Sequence, residues 1–479
     1  MSGTRSTRST RSTWFCLAAL SALTAALALT FTGGGTLGQK GPLYLWYPAD
    51  LALFALALLT LRRVPARRVA GLVLLGSVAV AASGLLAAPR TSDDAYRYLW
   101  DGQVQVAGTS PYAYPPDAPQ LAALRAKAPA LFPPTGDCVG WDLRRAGPGF
   151  CSHVNRPAVP TIYPPVAEAW FAGLYLAGHG HGVRAAQVGG ALLAVSTTGA
   201  LLWLLPAERR RRAALWGWFP GVAVWAVNDA HVDTLGALLM VVGLGVGAHN
   251  RRSRRAWSGA ALGAAVAVKL IPVLALPGAL SGLLARGRDT PWARRLVLPA
   301  VALGVFVLSY LPYLALSGSK VLGFLPGYLR EEGYDQSQVQ RFALIRLLLP
   351  DSLAAVAAGA LILAAALYVL RRGDPDRPWR GALLVTGTAL LALTPAYPWY
   401  GLLVVALVGL DGRWEWLAVP AAGQVQYLLG GDAQQPAYAA ALGLVLAGAA
   451  VRRWSRPDLS GPPRPVSVRL AGPPAGSRP

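Results

Sequence analysis

The sequence predicts an all-α, polytopic transmembrane protein of about 12–14 spans with a large external first loop, and three observations carry that expectation. Hydrophobic residues make up 54% of the 479-residue chain and charged residues only 14%, with a mean hydropathy of +0.41, far from the averages of a soluble domain. Apolar runs of membrane length recur along the chain. The first, 14–32, is free of charge and long enough to cross a hydrocarbon core of about 30 Å. Arginines gather between these runs, at 62–63 with 67–68, 209–212, 251–252 with 254–255, 294–295, 371–372 and 452–453. A single threading places all of these clusters on the cytoplasmic side.

The formal net charge of +22 is therefore a topology signal and not a nucleic-acid footprint. Under that threading, spans are expected near 14–32, 43–61, 69–88, 184–205, 213–228, 232–248, 256–269, 271–285, 296–316, 352–370, 381–396, 398–411, 415–430 and 436–451, with both termini in the cytoplasm. The short spans around 269–272 and 395–398 suggest broken helices. The basic, Ser/Thr-rich leader before the first run reads as the flank of a retained helix, because another span soon follows.

This organisation divides the chain into N-terminal transmembrane helices (1–88), an external catalytic loop with interfacial helices (89–183), a transmembrane module (184–316), a second external loop (317–351), C-terminal transmembrane helices (352–454) and a disordered cytoplasmic tail (455–479) rich in Pro, Gly, Ser and Arg. The apolar stretch 163–178 would reverse the sidedness of Arg209 to Arg212 if it spanned, so it is assigned to a helix at or dipping into the outer face. His179 and His181 sit on a glycine tract and are too few for a metal site. No metal or other cofactor is expected. Cys138 and Cys151 both fall in the external region, where an oxidising compartment favours a disulfide, while Cys16 lies in the first span. No Gly-rich phosphate cradle is apparent.

The external loop opens on Ser92-Asp93-Asp94-Ala95-Tyr96-Arg97-Tyr98-Leu99-Trp100-Asp101-Gly102, a cluster of acids in a chain poor in them. Adjacent carboxylates, a guanidinium three positions on and interleaved aromatic rings offer a base, an anion partner and a platform for a sugar or lipid. From Asp94 to Gly108 the pattern fits an interfacial amphipathic helix with Asp94, Arg97 and Asp101 near one face and Tyr98 beside them.

That segment, followed by Gly108-Thr109-Ser110-Pro111-Tyr112 and Tyr163-Pro164-Pro165, resembles the first external loop of bacterial GT-C glycosyltransferases, and more narrowly the actinobacterial enzymes that use polyprenyl-phosphate-mannose. The similarity continues at Asn228-Asp229-Ala230-His231-Val232-Asp233 and Val268-Lys269-Leu270-Ile271-Pro272. The resemblance implies an inverting membrane mannosyltransferase acting on a cell-envelope glycolipid or lipoglycan, with the first-loop aspartate as general base. Either Asp93 or Asp94 could face the cavity; Asp94 has the spacing to Arg97 and Tyr98 that matches.

Elementary chemistry asks for the same parts. A sugar hydroxyl is a poor nucleophile, and a carboxylate whose pKa is raised by burial would help remove its proton. A phosphate leaving group needs cations in a low-dielectric pocket. The candidates are Arg97, Arg156, Lys269 and Arg341, with His231 as a hydrogen-bond donor and Asp233 as a partner for sugar hydroxyls. Lys269 stands in an otherwise apolar stretch, where an ionisable group is expensive. Glu168 is expected to orient the loop, Glu331 to Phe342 to form a polar and aromatic lid, and 397–400 to form an interfacial aromatic anchor. The rival readings are a transporter or flippase of a lipid-linked saccharide, against which the ionisable residues concentrate on the outer loops, and an inactive scaffold, against which Asp94, Arg97 and Asp101 are all present.

Overall fold

The computed structural model describes residues 3–133, 138–147, 149–178, 182–248, 252–285, 291–331 and 341–454. Three helices, α1 (Gly3–Gly33), α2 (Gly41–Leu61) and α3 (Ala66–Gly84), open the chain. They are followed by the helix α4 (Asp94–Val106) and an irregular loop whose only strands among the described residues are the two-residue pair Arg144–Arg145 and Cys151–Ser152. Helices Pro165–Gly178 and Val183–Leu204 lead into the remaining bundle.

Among the described residues, seven helices are long and apolar enough to cross a membrane, or up to eight if the bent pair Val222–Asn228 and Asp233–Gly247 is one span. This is fewer full-length helices than the 14 stretches expected. The difference lies in the buried middle of the bundle, where the expected spans are interrupted. The stretch 271–285 contains only the turn Ile271–Ala275 and the short helix Leu276–Ala279, and 398–411 and 415–430 form helices shorter than a bilayer. Such backbone breaks are tolerated because the freed polar groups are satisfied within protein. The breaks at 269–272 and 395–398 stand where the sequence suggested them, the second closed by Thr394 in the left-handed region at φ 42°.

The segment Val222–Asn228 is a π-helical turn, and it bends by 111° into Asp233–Gly247. Ala230 between them has φ 55°, and His231 N–H reaches back to Trp225 C=O at 2.9 Å. Wide turns of this kind occur where function needs side chains displayed from a broken helix.

α4 is enclosed by protein: Ala95 and every residue from Arg97 to Val104 are buried. It packs on Pro165–Gly178 so closely that a Cβ on Gly102 would stand 2.3 Å from Phe171 C=O. The expected second loop 317–351 is helical in its first part, with Gly318–Leu322 and Leu325–Glu331 continuing from Trp292–Ser317. The lid residues Glu332 to Gln340, the pair His179 and His181, and the tail from Ser455 lie outside the described residues.

Cys138 and Cys151 form a disulfide with Cα atoms 5.5 Å apart. Closing a loop of this size contributes about 3 kcal/mol by the chain-entropy estimate. Reduction is therefore expected to lower the unfolding temperature of the native protein and to leave a Cys138→Ser, Cys151→Ser variant unmoved; equal melts for the native protein with and without reductant would contradict this.

Candidate active site

The placement of Asp94 begins 135 residues away in sequence, at Asp229 in the bend. Asp229 Oδ1 accepts hydrogen bonds from the backbone N–H groups of Arg90 (3.2 Å), Thr91 (3.1 Å) and Ser92 (3.2 Å), and its Oδ2 accepts from the Thr91 hydroxyl. Asn228 also accepts from Arg90 N–H at 3.0 Å and donates to the carbonyls of Gly84, Ala87 and Ala88. Tyr427 donates to Thr91 C=O at 2.6 Å. These bonds satisfy the backbone of a buried loop that has no secondary structure of its own, and they hold the start of α4, hence Asp93 and Asp94, in one position.

The two neighbouring carboxylates have different surroundings. Asp93 is bound by the Arg144 guanidinium and by Asn155 Nδ2 at 3.1 Å. Burial pushes its pKa up, and the Arg144 charge works against that rise. Asp94 Oδ1 accepts from the same Asn155 nitrogen at 2.6 Å, while Oδ2 lies 3.4 Å from the Tyr163 hydroxyl and 3.4 Å from His231 Nδ1. Burial favours the neutral acid here too, but the adjacent His231 imidazole, with added positive charge from Lys269 and Arg156, outweighs it and holds Asp94 at about 2. The expectation of a base raised by burial is thus corrected: Asp94 is an anion held in a positive field.

Both carboxylates line a cavity of about 670 Å³. Lys269, Arg156 and Arg341 also line it, brought from three separate parts of the chain. Lys269 Nζ pairs with Asp233 Oδ2 at 2.7 Å and sits 4.5 Å from the centre of the Tyr400 ring, so its charge is held inside the protein. Arg156, at φ 44°, pairs with Glu331 at 2.8 Å and lies over Tyr328. Removing one partner of a buried pair strands the other charge. Lys269→Met is accordingly expected to destabilise the fold by about 3–5 kcal/mol, and Lys269→Met with Asp233→Leu by less. A double variant less stable than the single one, in thermal or denaturant unfolding, would contradict this.

One wall is aromatic. The His231 ring stacks on Trp399 at 3.9 Å, and Trp399 stacks on Tyr397 at 4.7 Å. The segment 397–400 was expected as an interfacial anchor, but Trp399 and Tyr400 are buried and face the cavity. Another wall, with Leu270, Ile271, Leu322 and Leu325, is apolar.

Several expected binding residues are not at the cavity. Asp101 is buried and is bound by Arg97 Nε at 3.0 Å to each oxygen, and the rest of the Arg97 guanidinium donates to the carbonyls of Asn155, Arg156 and Val159. Arg97 touches the cavity wall, but its donors serve the loop that carries Asn155 and Arg156. Tyr98 is buried between Tyr163 and Phe171, stacked on the latter at 4.3 Å. His231 and Asp233 are buried behind the lining, reaching substrate space through Asp94 and Lys269. Glu168 is fully buried, accepting from Thr161 and Gln105, and burial together with Asp101 keeps its carboxyl well above the usual range.

Asn155, Arg144 and Tyr163 were not among the expected site residues. Tyr163 was visible in the motif Tyr163-Pro164-Pro165; Asn155 and Arg144 carry no local signal, because only the folded loop brings them to the carboxylates. Among the described residues, no group of three or more His, Cys, Asp or Glu side chains is placed to hold a metal ion.

No curated protein and no solved structure matches the chain. The family model of glycosyltransferase family 87 matches residues 161–395, just under half of the chain, including the bend, Lys269 and Arg341 but starting beyond Asp94. That match, on a bundle that has seven membrane-length helices among the described residues and a cavity lined by carboxylates and cations, indicates a membrane glycosyltransferase of GT-C type.

Proposed function

We propose that the protein transfers mannose from a polyprenyl-phosphate carrier to a cell-envelope glycolipid or lipoglycan, with inversion at the anomeric carbon, at the external face of the cell membrane. The observation that carries this reading is one cavity holding the Asp94 carboxylate together with Lys269, Arg156 and Arg341. An acceptor hydroxyl oxygen attacks the anomeric carbon, the carbon–oxygen bond to phosphate breaks, polyprenyl phosphate leaves with the bonding electrons, and the hydroxyl proton passes to Asp94. A β-linked donor gives an α-linked product. The cations stabilise the negative charge gathering on the departing phosphate, and the apolar wall suits the first isoprene units.

External placement is supported by the gathering of arginines at the opposite end of the bundle. Arg211 bonds Leu61 C=O, Arg380 and Arg413 bind Asp411, and Arg452 binds Glu415. That end fits the cytoplasm, and both termini with it. No step calls on a metal or other cofactor.

A carboxylate held at about 2 is a weak base in the free enzyme. The donor is an anionic phosphodiester, and its charge beside Lys269 and Arg156 cancels part of the field that depresses Asp94. The Asp94 pKa therefore rises on binding. The acidic limb of kcat, which reports the bound enzyme, is expected at higher pH than that of kcat/KM, which reports the free enzyme; coincident limbs would count against this account.

The test of the reaction is protein in lipid nanodiscs given radiolabelled polyprenyl-phosphate-mannose and a lipoglycan acceptor. Label in an α-linked product is expected. No transfer above protein-free discs, with movement of the lipid-linked sugar between leaflets instead, would replace transfer by transport.

A further inference from the structure

A second cavity, of about 540 Å³, lies between α2 and the helices following Arg211 and Trp414. Its walls are apolar, with Phe54, Leu58, Phe219 and Leu417 among them, and Arg62, Arg211 and Arg212 stand at its end. It is remote from Asp94. Lys40, just before α2, bonds Leu428 C=O at 3.1 Å beside Tyr427, which reaches Thr91. The 21 residues of α2 then carry the chain about 30 Å to Leu61.

We propose that this groove holds one anionic glycerophospholipid, with an acyl chain between the helices and its phosphate on Arg62, Arg211 and Arg212. Two features select this occupant. The first is length: from Leu51 to Arg62 the lining of α2 rises about 16 Å, which matches one leaflet of a core of about 30 Å. The second is charge. Arg211 donates to the carbonyls of Leu61 and Val64, and Arg212 to Leu410 C=O at 3.5 Å, so both guanidiniums are fixed by neutral acceptors. The nearby acids have other partners: Asp411 is bound by Arg380 and Arg413, and Glu415 in the groove wall by Arg452. Positive charge fixed at the mouth of an apolar slot between helices is the arrangement that takes a lipid phosphate. A zwitterionic lipid would use the slot and gain little from the arginines.

The test is native mass spectrometry of the full-length protein offered equal amounts of phosphatidylglycerol and phosphatidylcholine. Retention of one phosphatidylglycerol with at least fivefold preference is expected. In an Arg62→Gln, Arg212→Gln variant the preference should fall to about one, while Arg63→Gln with Arg67→Gln, exposed arginines outside the groove, should keep it. Filling the groove with Ala418→Phe, or with Ala55→Phe at a more exposed position should the first fail to fold, is expected to abolish retention with all arginines present. Equal loss in the two arginine pairs, retention in a folded groove-filled variant, or displacement of the lipid by an equal excess of inorganic phosphate would each overturn the proposal.

Discussion

Asp94→Asn is expected to reduce sugar transfer by about 10²–10⁴-fold, the usual contribution of a positioned general base, while Asp93→Asn retains transfer within about tenfold of the native rate. The asymmetry follows from the partners of the two carboxylates. Asp93 is bound by Arg144, and its remaining oxygen by Asn155. Its substitution loosens the loop that carries Arg144 but removes no group that receives a proton. Among the described residues Asp94 accepts a short bond from the Asn155 amide on one oxygen and only long contacts of 3.4 Å on the other, from Tyr163 and His231. A carboxylate so held keeps a lone pair for an incoming hydroxyl. Asparagine preserves the size and one acceptor, so donor retention should survive while kcat collapses. The measurement is single-turnover transfer in membranes with the variants at matched levels, alongside binding of labelled donor. Collapse in Asp93→Asn with Asp94→Asn active would move the base by one residue.

The sequence made the membrane bundle legible because hydrophobic composition and arginine placement act over whole segments and survive local irregularity. It also located the helix that begins at Asp94 and the two breaks near Lys269 and Pro398, since charge and proline punctuate apolar runs. Less legible was the role of each polar side chain. Arg97 and Asp101 stand four apart on one helix, a spacing that reads equally as a ligand pair or as an internal ion pair, and burial on all sides decides for the latter. The pKa direction of Asp94 was invisible for a related reason. Burial is a property of its own helix, but His231, Lys269 and Arg156, which reverse the effect of burial, arrive from the bend, a helix end and the loop. Trp399 shows the same limit: an aromatic cluster beside a proline has the same sequence whether it faces lipid headgroups or a cavity.

Asp229→Ala is expected to be the most damaging substitution outside the cavity, through the loop alone. It leaves the backbone N–H groups of Thr91 and Ser92 and the Thr91 hydroxyl without the partner they have in the structure, while Arg90 N–H keeps Asn228. Each stranded buried donor costs about 1–3 kcal/mol. Three such groups approach the whole stability of a typical domain. The chain has a cheaper response, which is to release residues 90–94 and let water reach them. Two results follow together: amide exchange in 90–94 rises by orders of magnitude, and transfer falls as far as in Asp94→Asn although Asp94 is intact. Asp229→Asn keeps a carbonyl oxygen at the Oδ1 position for the three N–H donors, so it should recover most of the protection and most of the activity. If exchange in 90–94 is unchanged in Asp229→Ala, the bend does not position the carboxylates, and any loss of transfer would have to be traced to the effect of Asp229 on its own helix.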